Sequence, residues 1–258
     1  MPYRLYDTHC HLDFFARPAE AARRAEGLGL AFLACTVTPR GYEEASRELA
    51  GLPNVRVGVG LHPWWVADGR CGQADVALAV RLAGMGRFVG EVGVDRSPHH
   101  VDPGSEVRQL DAFRQVAEAC AGPSPDGRHL LSIHSVQAAT PVLDILEETG
   151  CLGQCTCVFH WFTGSSDELH RAVVAGCSFS VNEMMLRTRR GREYARQVPE
   201  ALLLTETDLP PGQGVDFDVA NVASSLERTL ARLAEIRGTS PERLAAACAE
   251  NAETLLGI

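Results

Sequence analysis

The feature that most constrains this chain is an alternation. Eight short apolar, β-rich runs recur along 258 residues, and helical patterns separate them. The expected strands span 5–9, 31–37, 55–61, 88–91, 130–134, 157–160, 178–181 and 202–205. They read as nearly continuous apolar segments, as parallel strands buried on both faces do. The intervening helices carry recognisable punctuation, with Pro18 near the start of the first, Gly176 just past the end of another and Ser240-Pro241 opening the last. Strictly alternating strands and helices in one chain of this length predict a (β/α)8 TIM barrel, a single domain over 1–258. An open doubly wound sheet is the alternative architecture.

Polar residues gather where such a barrel keeps its chemistry, at the C-terminal ends of the strands. The first expected strand ends at His9-Cys10-His11 and the third is followed by His62. The fourth, fifth and sixth end at Glu91, His134 and His160, and the eighth is followed by Glu206-Thr207-Asp208. Five of the nine histidines thus sit at strand ends. One such histidine is more often a hydrogen-bonded core residue, but the joint pattern predicts a divalent-metal hydrolase. Imidazoles favour zinc, manganese and iron, and carboxylates also accept harder ions.

The basic residues limit the chemistry. All 24 are arginine; there is no lysine. Codon bias in a GC-rich genome fits that observation equally well, but the exclusions hold whatever its origin. A Walker-type phosphate loop, a Schiff base and a metal pair bridged by a carbamylated lysine each require a lysine amine. A carboxylate must therefore do any bridging between two metals, and Glu91 is the best placed. One ion is expected to take His9, His11, Glu91 and Asp208, and the other Glu91, His134 and His160. Two ions about 4 Å apart can activate water and stabilise both oxygens of a displacement at phosphorus.

With these residues in place, the motifs Asp7-Thr8-His9-Cys10-His11, Gly60-Leu61-His62-Pro63, Gly90-Glu91-Val92-Gly93-Val94-Asp95, His160-Trp161-Phe162-Thr163-Gly164 and Glu206-Thr207-Asp208-Leu209-Pro210 resemble the TatD family of metal-dependent deoxyribonucleases. The resemblance runs from Asp7 to Asn251-Ala252. It implies a TIM barrel of the metallo-dependent hydrolase type that cuts DNA, single-stranded or at ends, with two divalent ions (magnesium, manganese or zinc). It makes His9, His11, Glu91, His134, His160 and Asp208 the metal ligands, with Glu91 and Asp208 catalytic and Asp208 also the base for the attacking water. His62 and Glu206 resemble additional site residues near substrate phosphate or a further metal.

Two segments depart from the family pattern. Val136 stands where an arginine is usual, and Arg96-Ser97 replace an aromatic pair. The blocks after His160 and around Phe179-Ser180-Val181-Asn182 resemble the QatD-type branch of bacterial anti-phage gene clusters, which implies partner proteins of a defence operon.

Other features refine the expectation. Arg187, Arg189, Arg190, Arg192 and Arg196 form the densest basic run, either a phosphate-binding edge or a solvated face paired with Glu193 and Glu200. Arg96, His99 and His100 form a second possible contact patch. Trp161 follows an expected ligand and suits packing or substrate contact; Trp64 and Trp65 suit rim packing more than base stacking. The formal charge of −9 argues against broad attraction to nucleic acid but leaves room for a local basic groove. The nine cysteines are scattered and odd in number, so free thiols in a reducing cytoplasm are expected, and Cys151, Cys155 and Cys157 lack the spacing of zinc knuckles. No apolar run is long enough to span a membrane, and the N-terminus lacks the apolar core of a signal peptide. A hydrolase of a small ester, amide or phosphate, or a subunit with a decayed site, are the competing readings; every expected ligand position is filled.

Overall fold

The computed structural model describes residues 3–98, 104–124 and 126–258; His99 and His100 lie outside them. The strands are β1 (Leu5–Cys10), β2 (Leu30–Cys35), β3 (Val55–Leu61), β4 (Phe88–Asp95), β5 (Leu130–Val136), β6 (Thr156–His160), β7 (Ser178–Val181) and β8 (Leu203–Thr205). They follow one another in chain order in one sheet, with a helix between each successive pair. That order has no reversal, so the doubly wound alternative, which needs a switch point, is set aside in favour of the (β/α)8 class. The backbone forms two compact units, one of residues 3–34, 45–56 and 179–258, the other of residues 35–44 and 57–178.

In the first unit, β1 pairs in parallel with β2 and β7 with β8. Two threonines brace β1 against β8: Thr8 Oγ1 donates to the Thr205 carbonyl and Thr205 Oγ1 to that of Tyr6, each at 3.0 Å. Helix Val219–Arg237 buries Val222, Leu226, Leu230 and Leu233, and helix Pro241–Leu256 buries Leu244, Cys248, Ala252 and Leu256. Asp218 caps the former on the Ala220 amide and Ser240 the latter on that of Arg243. Two further helices, Glu183–Arg187 and Arg189–Gln197, carry the arginine run. The first is little more than one turn, and the second turns Gly191, Tyr194 and Ala195 inward; Asn182 and Thr188 cap them by accepting from the amides of Met185 and Gly191.

In the second unit, β3 to β6 pair in parallel around β4. Here the expected ends fall short. β4 continues to Asp95 and β5 to Val136, with Val92 to Asp95 paired against Ile133 to Val136. Glu91 is therefore a mid-strand residue. The extension needs Gly93, whose φ of +144° and separation from the His134 carbonyl leave no room for a side chain; a Cβ there would lie 2.0 Å from that oxygen. Helix Ser105–Cys120 anchors the end of β4 through Gln109, which accepts from the Asp95 amide at 2.8 Å and donates to its carbonyl at 3.1 Å.

All nine cysteines are buried free thiols. Those of Cys151 and Cys155 donate to the carbonyls of Ala117 and Cys120, at 3.1 and 3.2 Å. Among the described residues, no helix is long and apolar enough to cross a membrane.

Candidate metal centre

Both units break strand regularity at their candidate metal-binding residues. In β4 the registers Val89↔Leu131 and Val92↔Ile133, matched by Val59↔Val89 and Leu61↔Val92, leave one extra residue at Gly90-Glu91. In β1 the registers Asp7↔Phe32 and Cys10↔Ala34 leave one extra residue at Thr8-His9. Bulges of this kind re-aim side chains beside functional sites.

In the second unit, Glu91 is 2% exposed and three imidazoles face its carboxylate. His134 Nδ1 lies 2.7 Å and His160 Nε2 2.9 Å from Oε1, and His62 Nε2 lies 3.2 Å from Oε2. Burial alone would push the Glu91 carboxyl up. The rings of His62, His160 and His134 outweigh it and hold the group well below the usual carboxylate range.

Asp95 fixes the far side of His134. Its Oδ2 accepts from His134 Nε2 at 2.8 Å and Trp64 Nε1 at 2.7 Å, and its Oδ1 accepts from the Ser97 amide at 2.6 Å. Burial works against the charged carboxylate, but these donors, His134 first, draw the Asp95 carboxyl below its ordinary value. A carboxylate with three donors on it accepts the Nε2 proton, which leaves Nδ1, the nitrogen facing Glu91, as the one to bind metal. Sequence reasoning placed Asp95 in a motif but gave it no role; its spacing from Glu91 was the available signal.

His62 has the opposite arrangement. Its Nδ1 accepts from the Trp64 amide at 3.1 Å, which places the proton of a neutral ring on Nε2, towards Glu91. That nitrogen is a donor and not a lone pair, so His62 suits contact with a carboxylate or phosphate oxygen better than a metal. Trp64 is thus a rim residue built into the site, and Trp65 stacks with Arg70, 4.3 Å from its ring centroid.

In the first unit, Asp208 Oδ1 lies 3.2 Å from His11 Nε2 and 3.8 Å from His9 Nε2. The two rings sit edge to face, 5.5 Å apart, and His11 stacks on Phe14 at 4.7 Å. The Asp208 side chain is 25% exposed, and its backbone is left-handed with φ +58°. The loop after β8 is tied to the end of β1 by hydrogen bonds from the Asp208 amide to the His9 carbonyl and from the His11 amide to that of Leu209, both 2.9 Å.

Buried Asp7 supports this loop by accepting from the Thr207 amide at 3.0 Å and hydroxyl at 2.5 Å. Burial pushes its carboxyl up to about 8 despite those bonds. Glu206 is fully buried and engaged by β7: Asn182 Nδ2 donates to it at 2.9 Å, and Ser180 Oγ also donates. It belongs to that hydrogen-bonded group, and the roles of Ser180 and Asn182 in holding it were not foreseen.

The remaining expected contacts scatter more widely. Trp161, half-buried directly after β6, adopts φ +40°, a costly conformation for a bulky side chain of the sort that concentrates at functional sites. Arg187, Arg189 and Arg190 are exposed and form no ion pair among the described residues. Glu193 pairs with Arg196 and Glu200 with Arg243, so the paired-face reading holds for Arg196 and not for those three.

The donor sets suit divalent metal. Glu91 and His134, with His62 beside them, form one group, and His9, His11 and Asp208 another, each with its polar atoms within 4.8 Å of one another. Imidazole nitrogens beside carboxylate oxygens, nearly all buried, are the ligand chemistry of zinc, manganese and related ions.

The comparisons with known proteins agree. A family model described as "TatD related DNase" matches residues 6–257. The chain is 29% identical to the 3′-5′ ssDNA/RNA exonuclease TatD of Citrobacter rodentium, over 93% of this chain and 91% of that protein. It is 27% identical to the deoxyribonuclease TATDN3 of Homo sapiens, over 96% and 93%. The crystal structure of YjjV, a TatD homologue from Escherichia coli, superposes over 100% of both chains with a TM-score of 0.80 at 21% identity, which is agreement of fold. With a match spanning nearly every residue, the chain belongs to the TatD family of metal-dependent deoxyribonucleases.

Proposed function

We propose that this protein hydrolyses phosphodiester bonds at single-stranded nucleic-acid ends, using two divalent ions (magnesium, manganese or zinc). His9, His11 and Asp208 would hold one with Glu91, and His134 and His160 the other with Glu91. The observation that carries this reading is Glu91 itself, a buried carboxylate with imidazole nitrogens on both oxygens in a chain that has no lysine to bridge metals. The name of the Citrobacter relative supports a single-stranded substrate, and that of the human relative supports DNA.

When bound, such ions polarise the phosphoryl oxygens and raise the acidity of water. The chain's own residues do the rest. Asp208, the most exposed carboxylate of the two groups, takes the proton of the attacking water. His62, with its proton on Nε2, donates to a non-bridging phosphate oxygen. Asp95 keeps His134 in its binding tautomer. Trp161 stacks on the terminal base, and Arg187, Arg189 and Arg190 contact phosphates further along the strand. Glu206, held by Ser180 and Asn182, stabilises the β8 end that presents Asp208. Work within an anti-phage gene cluster is the cellular setting we propose, on the motifs around His160 and Ser180.

The test is cleavage of end-labelled single-stranded DNA, duplex DNA and single-stranded RNA with magnesium, manganese or zinc, beside Glu91→Ala and Asp208→Asn. Wild-type protein should shorten the single strands only with metal, and both variants should fail. Metal-dependent turnover of small esters with every nucleic acid left intact would overturn this reading in favour of a small-substrate hydrolase.

A further inference from the structure

The first unit contains a cavity of about 400 Å³ lined by Glu183, Leu186, Arg187, Arg192, Arg228 and Arg232. Three segments build it: helix Glu183–Arg187 directly after β7, helix Arg189–Gln197, and the long helix Val219–Arg237. The arginine run seen in the sequence supplies only half of its cations. The other half come from a helix some forty residues later that the sequence pattern did not connect with it.

The charges in this cleft do not cancel. Its lining has four guanidinium groups and one carboxylate, a formal +3 in a chain of net charge −9. Glu183 is already saturated. Arg228 holds it bidentately at 2.9 and 2.8 Å, and Ser225 Oγ donates to it at 2.7 Å. Arg192 spends Nη1 on the neutral carbonyls of Leu186 and Arg187, at 3.1 and 2.9 Å, so its charge is not neutralised. Arg232 pairs with Glu235, three residues further along its helix and outside the lining, so two of the four guanidinium groups, those of Arg187 and Arg192, keep their charge uncompensated. Arg187 has no ion pair and acts on Glu183 only at longer range.

Clustered cations cost energy unless an anion joins them. A single carboxylate ligand would not need so many, and a metal would be repelled. Guanidinium forks match phosphate oxygens, and Arg187, Arg192 and Arg232 come from three helices along the cleft. That is a spread of cations and not a point, which suits successive phosphates.

We infer that this arginine cleft grips the phosphodiester backbone of a single nucleic-acid strand, with Arg187, Arg192 and Arg232 as its principal contacts. The assignment rests on the phosphodiesterase reading above. It extends the basic grip proposed for Arg187, Arg189 and Arg190 to Arg192 and Arg232, which line the cleft with Arg187.

The experiment is fluorescence anisotropy in EDTA, so that binding is read without cleavage. The probe is a fluorescein-labelled single-stranded oligodeoxynucleotide about 20 nucleotides long, beyond the ~4–16 that one groove covers. Arg187→Gln with Arg232→Gln should weaken binding about tenfold or more and reduce the slope of log K against log salt by about 1.4, the loss expected for two phosphate contacts. Arg187→Lys with Arg232→Lys should recover most of that slope. Arg23→Gln with Arg81→Gln, exposed elsewhere, should change neither quantity. If the wild type binds and the glutamine pair matches it in affinity and slope, the cleft assignment fails alone. If inorganic pyrophosphate binds as tightly as the oligonucleotide, the strand assignment fails. If the wild type neither binds nor cuts any strand, the phosphodiesterase reading fails with it.

Discussion

The two units present their candidate metal-binding residues in contrasting ways. In the second, Glu91 is sealed in, three imidazoles fix its charge, and Asp95, Trp64 and Gln109 brace the surrounding rings and backbone. In the first, His9 and His11 meet an Asp208 that lies in a loop, is a quarter exposed, and owes its position to backbone hydrogen bonds and buried Asp7. The difference teaches a division of labour. A pre-set, dry cluster suits holding an ion, because its geometry costs nothing to assemble at the moment of reaction. An accessible carboxylate suits taking a proton from water, which must enter and leave.

The sharpest way to break the comparison is to mutate one carboxylate from each side. Glu91→Ala should lose at least one ion and abolish cleavage. Asp208→Asn should keep part of the metal affinity yet lower kcat by about 10²–10⁴, the range for losing a proton acceptor. Equal effects on metal affinity would erase the proposed division. The next largest effect concerns the frame behind Glu91. Gly93→Ala drives a methyl into the His134 carbonyl, so thermal or denaturant unfolding should report a loss above about 3 kcal/mol.

Asp95→Asn tests the brace more gently. It removes the charge that accepts from His134 and should weaken metal binding by about 10–100-fold, as read by calorimetric titration, with the fold intact. The smallest effect belongs to a carboxylate of the second unit whose partners are all amides and hydroxyls. Glu168 caps helix Ser166–Val174, accepting from the amides of Ser165 and Thr140 at 2.6 and 2.8 Å and from the Thr140 hydroxyl at 2.5 Å. Burial opposes its charge, but those donors hold its carboxyl below the ordinary 4.5. Its stabilisation is therefore full above pH 4.5 and is lost as pH falls through the lower folded value. Glu168→Ala should cost about 1 kcal/mol at pH 7, and the gap should shrink in acid.

Much of this was legible in the sequence because it is local. Apolar runs mark strands, and histidines and carboxylates at their ends mark the chemistry. What escaped was contact between distant segments. Nothing near Glu91 announces that β4 runs on to Asp95, because that extension depends on Gly93 passing the His134 carbonyl. The partnership of Glu206 with Ser180 and Asn182 depends on β7 lying beside β8. The arginine cleft depends on Arg228 and Arg232 meeting Arg187 and Arg192 across three helices. The sequence left His62 between a phosphate contact and a further metal, and the Trp64 amide, two residues on, is what occupies its Nδ1.

Metal stoichiometry by native mass spectrometry tests the central claim most directly, because it asks whether Glu91 joins the two groups. The account predicts two divalent ions per wild-type chain and at most one in Glu91→Ala, with cleavage lost in the same preparation. A Glu91→Ala protein that still carries two ions, or a wild-type chain that never binds more than one, would contradict it.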